Sequence, residues 1–164
     1  WRNNLPTALV LGFVAGGIFL VTYAAVGHLL LDKAAITAKI QQQFSVTAST
    51  VLLIAPGTIL VNSLIEEFFY RGFAFGLLAP KRPWIGTLLP ATVFTVQHLL
   101  FIYHWVTALP LALAVVGLFV FAQVLQALYA KSDSIVAPWV VHILGDVAMM
   151  LIAVELVFKA VQPA

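Results

Sequence analysis

The chain has 164 residues, 63% of them hydrophobic and 9% charged, with a formal net charge of +2. A soluble domain cannot cover itself with so little polar surface, so the composition indicates an integral membrane protein with no length left for a separate soluble domain. So few charges give no basis for a nucleic-acid partner, and the lack of cysteine excludes disulfides, thiolate nucleophiles and Cys-ligated metals.

With about 20 apolar residues needed per crossing, the length admits roughly five spans. The expected fold is an all-α polytopic transmembrane bundle, a single membrane domain over residues 1–164. The chain opens at Trp1 without a methionine or a signal-peptide pattern, as a part of a longer protein with further helices before Trp1 would. Hydropathy predicts a first span from Leu5 to Leu31, ended by Asp32 and Lys33. From Asp32 to Ser45, Ile36, Ile40 and Phe44 recur every fourth residue among Lys33, Lys39 and three glutamines. That pattern predicts an interfacial amphipathic helix, read as a connector rather than a substrate gate.

The second span starts at Val51 or after the Pro56-Gly57 break and runs towards Leu78, where Pro80-Lys81-Arg82-Pro83 stops it. A third span from Trp84 to Tyr103 carries Gln97 and His98. A fourth from Trp105 to Ala130 carries Gln123 and Gln126, read as bonds between neighbouring helices. Asp133 and Ser134 are expected to cap the fifth, which carries Pro138, His142 and Asp146 and ends near Lys159. Arg2, Lys81, Arg82 and Lys131 lie on one side of this layout, against Lys33, Lys39 and Lys159 on the other. The slight excess places the Lys81-Arg82 turn in the cytoplasm.

The second span contains Glu66-Glu67-Phe68-Phe69-Tyr70-Arg71-Gly72. An ionisable residue near a bilayer centre costs on the order of 3 kcal/mol, so such residues need partners, water or a task. Glu67 and Arg71 form an i,i+4 pair in the favourable order and can neutralise each other. Glu66, about 100° round the helix, is left to face something else. It lies 16 residues before Arg82, and His98 lies 16 after it. A hairpin folded there sets both roughly 20 Å from the turn at about 1.5 Å per residue. His142 and Asp146 share a face of the fifth span at a compatible depth, where the carboxylate could fix the imidazole tautomer. Phe94 shares a face with His98 as a pocket wall, whereas His28 and His104 fall near span ends, and Tyr70 and Trp139 read as packing or interface anchors ahead of pocket lining.

A carboxylate with two histidines, held away from bulk water, suits water activation and amide hydrolysis. The trio Glu66, His98 and His142 also suits a divalent metal such as zinc, although His-Glu-x-x-His is absent. A non-catalytic immunity or scaffold protein, or a proton-coupled transporter, could use the same groups, although the chain lacks the repeated halves common in transporters.

The ordered set Glu66-Glu67-x-x-x-Arg71-Gly72, Phe94-x-x-x-His98 and His142-x-x-x-Asp146 resembles the CAAX protease and bacteriocin-processing family of intramembrane metalloproteases, also called the abortive-infection family. The likeness spans residues 66–146. It implies an endopeptidase acting near the C-terminus of prenylated proteins, or processing peptides and conferring bacteriocin self-immunity. The implied partners are a peptide or lipidated-protein substrate and membrane lipid, in a bacterial plasma membrane. By resemblance Glu66 and His98 activate water, His142 and Asp146 support the oxyanion, and Glu67, Arg71 and Phe94 support the site. Asp146 stands where the family commonly has asparagine, and an ionised carboxylate accepts hydrogen bonds but cannot donate one.

Overall fold

The computed structural model describes residues 4–159, and among these every regular element is helical. Six helices follow in order: α1 (Leu5–Leu30), α2 (Lys33–Phe44), α3 (Ala48–Leu78), α4 (Pro83–Ile102), α5 (Ala108–Ser132) and α6 (Val136–Lys159). All but α2 are long and apolar enough to cross a membrane. The expected all-α polytopic bundle with five spans is therefore the observed architecture.

Local chemistry explains where the boundaries depart from hydropathy. Thr47 and Thr50 form a reciprocal capping box, each side-chain oxygen accepting the other's backbone N–H, so α3 starts at Ala48 and not at Val51 or beyond Pro56. Pro56 offers no N–H to the preceding turn, and the winding widens just after it, over Gly57–Asn62. A second wide-wound stretch covers Phe68–Phe75, where Gly76 N–H bonds the Arg71 carbonyl five residues back. Asp32 caps α2 through Ala35 N–H at 2.9 Å. Only Ser134 caps α6, by accepting Val136 N–H at 3.2 Å. Asp133, expected beside it as a cap, instead ends α5 in the left-handed region with φ 47°.

The central element is α6, against which α1, α2, α3 and α5 all pack. On the α1 side the approach depends on Gly12 and Gly16, one turn apart. A β-carbon at Gly12 would lie 2.5 Å from Leu144 Cδ1, and one at Gly16 would lie 3.0 Å from the Leu144 carbonyl oxygen. Small residues at this spacing let helix backbones close up where no hydrophobic force separates helix from lipid. Beside this seam, Ala8, Leu125, Leu128, Ala137 and Val141 form a buried cluster joining α1, α5 and α6. A second cluster of Tyr70, Ala91, Phe94 and Ala122 locks α3, α4 and α5 together under the polar residues. Gln123 and Gln126 both donate to the Thr87 carbonyl, so they bond α5 to α4 as expected. Phe13, Ile18, Leu53, Phe68, Leu100 and Val116 face outward, the apolar belt a lipid solvent requires.

The connector α2 buries Ile36, and its half-buried Ile40 packs against the Val46, Val51 and Val157 cluster. Its end is clasped to the α4–α5 loop, where Trp105 donates to Gln43 at 3.1 Å and its ring meets Phe44 edge-on.

Candidate active site

Between its two wide-wound stretches, α3 buries both acids, Glu66 at 6% and Glu67 at 0% exposure. Neighbours on a helix diverge by about 100°, so each needs its own set of partners. Glu66 faces α4, and its Oε1 accepts Gln97 Nε2 and Asn62 Nδ2, each at 3.0 Å. Glu67 faces α6 and its own helix. Its Oε1 accepts Arg71 at 2.8 Å and His142 Nδ1 at 2.7 Å. Arg71 is itself buried, reaching the Ala122 carbonyl of α5 at 3.4 Å and sitting 4.6 Å from the Phe94 ring centre. The cation thus has an anion in front and an aromatic face beside it, as a buried guanidinium needs.

The histidines are oriented from behind. His98 Nδ1 lies 2.8 Å from the Phe94 carbonyl, and His142 Nδ1 lies against the Glu67 carboxylate. Both partners can only accept, so Nδ1 carries the hydrogen in each ring and a neutral imidazole presents a lone pair at Nε2. Those two Nε2 atoms are 3.6 and 3.7 Å from Glu66 Oε2, which is buried and has no hydrogen-bond partner. Asp146 approaches the same point, its Oδ1 3.7 Å from His142 Nε2. Phe94 walls the space, its ring centre 4.2 Å from that of His98 and 5.8 Å from that of His142. Of the two imidazoles, His98 is the more accessible, its side chain 25% exposed against 3% for His142.

Glu66, Glu67, Arg71, Phe94, His98, His142 and Asp146 are thus neighbours in space, while His28 and His104 are exposed. One expected contact differs. The carboxylate that holds His142 Nδ1 is Glu67 of α3, not Asp146 on its own helix, because an i,i+4 neighbour reaches only the Nε2 edge of this ring. Glu67 therefore serves two cationic or N–H partners rather than Arg71 alone. Tyr70, read as packing, also bonds Gln97 Oε1 through its hydroxyl. Trp139, likewise read as packing or an anchor, donates to Ser63 at 3.0 Å. Asn62 and Gln97 were given no site role by motif spacing. Asn62 precedes Glu66 by one turn and Gln97 adjoins His98, the only signals that mark them.

A family model described as type II CAAX prenyl endopeptidase Rce1-like matches residues 48–148. The chain belongs to that family. The match starts where α3 starts and takes in every residue of the site, while α1 and α2 lie outside it. No curated protein and no solved structure matches the chain. Membership in the Rce1-like family makes the protein a CAAX-type intramembrane protease in class, and its five apolar helices make it a multi-pass membrane protein.

In this Rce1-like chain, Glu66, His98 and His142 could hold a metal ion, one ligand atom from each lying within 4.8 Å of the others. A tetrahedral ion with bonds of about 2.0–2.1 Å keeps its ligands about 3.4 Å apart. The two distances from Glu66 Oε2, 3.6 and 3.7 Å, are close to that spacing, while the pair of histidine nitrogens is held only within the 4.8 Å bound. Three acceptor atoms gathered this closely with no donor among them repel one another, which favours a cation between them. The Glu67 contact behind His142 is the carboxylate support usual for a metal-bound imidazole.

Proposed function

We propose that this protein hydrolyses a peptide bond near the C-terminus of a prenylated or otherwise membrane-associated polypeptide, in a bacterial plasma membrane. The observation carrying this reading is the convergence of Glu66 Oε2, His98 Nε2 and His142 Nε2 on one point, in a family of endopeptidases. Glu66 is the proposed general base. Its Oε2 takes a proton from water as the water oxygen bonds to the amide carbonyl carbon. The proton then passes to the amide nitrogen as the C–N bond breaks, giving a carboxylic acid and an amine. His98 and His142, fixed from behind at Nδ1, aim their lone pairs at the attack point. Asp146 Oδ1, beside His142, accepts the second hydrogen of that water and so orients it. Glu67 and Arg71 hold α3 in register and keep His142 in the required tautomer.

Were a divalent cation such as zinc bound, Glu66 Oε2, His98 and His142 would hold it, Glu66 then serving as ligand in place of base, and the cation would supply Lewis acidity to water or to a carbonyl oxygen. Cleavage of a farnesylated peptide with a CAAX terminus, by protein reconstituted in liposomes, tests the reading. Glu66→Gln keeps the shape of the side chain but cannot take the proton, and it should abolish turnover. Undiminished cleavage by this variant, or no cleavage of any prenylated or membrane peptide by the native chain, refutes the proposal.

A further inference from the structure

Glu66 has two chemically equivalent oxygens in two different settings. Oε1 is saturated by two amide donors, Asn62 Nδ2 and Gln97 Nε2. Oε2 has no hydrogen-bond partner and faces both imidazoles. What distinguishes the oxygens is the direction of the Gln97 amide. If that amide turned over, its own oxygen would meet the carboxylate. The Tyr70 hydroxyl, which donates to Gln97 Oε1, holds it in the donating direction. Tyr70 is in turn fixed by packing: it is 4% exposed and lies edge-on to Phe69 and Phe94, with ring centres 5.1 and 5.4 Å away.

We propose that Tyr70 and Gln97 are positioning residues for the hydrolysis, reserving Glu66 Oε1 so that Oε2 alone is presented to the reacting centre. Asn62, one turn earlier on α3, reinforces the same oxygen. A carboxylate free to rotate would exchange its oxygens and sweep either one past the imidazoles, spreading the reactive geometry over several arrangements. The relay Tyr70 to Gln97 to Glu66 crosses from α3 to α4 and back, so it also ties the reacting carboxylate to the helix that carries His98. This inference rests on Glu66 acting through Oε2, whether as base or as metal ligand.

The test uses the liposome-reconstituted chain and the farnesylated peptide, with Gln97→Met, Tyr70→Phe and the double variant beside Glu66→Gln. Gln97→Met keeps length and bulk but removes the donor. It should lower kcat by about 10–100-fold, the usual effect of losing a supporting hydrogen bond, with KM held within about twofold. Tyr70→Phe removes one oxygen and should lower kcat less. The double variant should be no slower than Gln97→Met, because Tyr70 acts only through Gln97. A packing role for Tyr70 would instead add its loss to that of Gln97→Met and lower the thermal midpoint. Wild-type kcat in Gln97→Met beside an inactive Glu66→Gln overturns the positioning role and leaves the proposed function standing. Activity in Glu66→Gln overturns the proposed function itself. Should Gln97→Met fail to fold, Tyr70→Phe alone decides: a lower kcat at an unchanged midpoint supports the relay, and an unchanged kcat overturns it.

Discussion

Glu67 holds two partners at once, Arg71 at 2.8 Å and His142 Nδ1 at 2.7 Å, and it is fully buried. Replacing it by Gln leaves the shape intact but strands the Arg71 guanidinium, itself 1% exposed, in a low-dielectric interior. Breaking a buried pair from one side costs about 3–5 kcal/mol, most of it the cost of the uncompensated charge. Removing the charge as well, in Glu67→Gln with Arg71→Met, should return most of that loss, since paired ions and a neutral apolar replacement are often close in energy. Activity should behave differently. His142 keeps an acceptor in either variant, but a neutral one, and a weakened support of this kind costs about 10–100-fold in activity or metal affinity. Reversible unfolding in bicelles measures the first quantity and peptide cleavage at a temperature where each variant is folded measures the second. The single variant should be unstable and slow, the double variant stable and still slow. Recovery of cleavage along with stability would show that Glu67 acts only as the partner of Arg71, and the account of His142 would fall.

Glu66→Gln should be folded and inactive, as set out above, with thermal midpoint and turnover read on one preparation. Gly16→Val should destabilise the bundle by about 1–3 kcal/mol, because its side chain meets the backbone oxygen of Leu144 rather than a movable chain end. An unchanged unfolding midpoint would place α1 further from α6 than described. Zinc at about 100 times its dissociation constant should stabilise the folded chain by about 2.7 kcal/mol, read as a rise in midpoint that a chelator reverses. His142→Ala should remove that rise, and a rise that survives it would locate the ion elsewhere. The cysteine-free sequence makes sidedness simple to test. A single cysteine at Lys81 should react with an impermeant maleimide only from the cytoplasmic face, and labelling from the other face reverses the assigned topology.

The acidic pair, the two histidines and Asp146 were legible because charge inside an apolar run is costly and helix rise converts residue counts into depth. Depth is only one coordinate. The azimuth of each helix, which decides that His142 Nδ1 meets Glu67 and not Asp146, depends on how α6 turns against α3, and spacing along one helix carries no information about that. Tyr70 and Gln97 were given no site role, and Asn62 was not singled out, for a related reason. Neutral amides and a tyrosine in a span commonly serve packing, and only the contacts across helices, for Tyr70 and Gln97, and along α3, for Asn62, distinguish these three. The start of α3 was misplaced because hydropathy weighs side chains, whereas Thr47 and Thr50 start the helix by satisfying backbone N–H groups. Asp133 was misassigned because a residue between two helices can end one or begin the next, and its positive φ settled the matter.

The Gly12 and Gly16 seam joins α6 to a helix that lies outside the family-matched residues 48–148. His142 and Asp146 are on α6, and Leu144, between them in sequence, is the residue that the seam grips. A fragment cut at Ala48 would carry every reactive group and the whole matched stretch. It would also expose the α1-facing side of α6 to lipid and remove the packing that seats the helix bearing His142 and Asp146. In this chain the stretch that the family model matches is shorter than the packed unit in which its last helix sits.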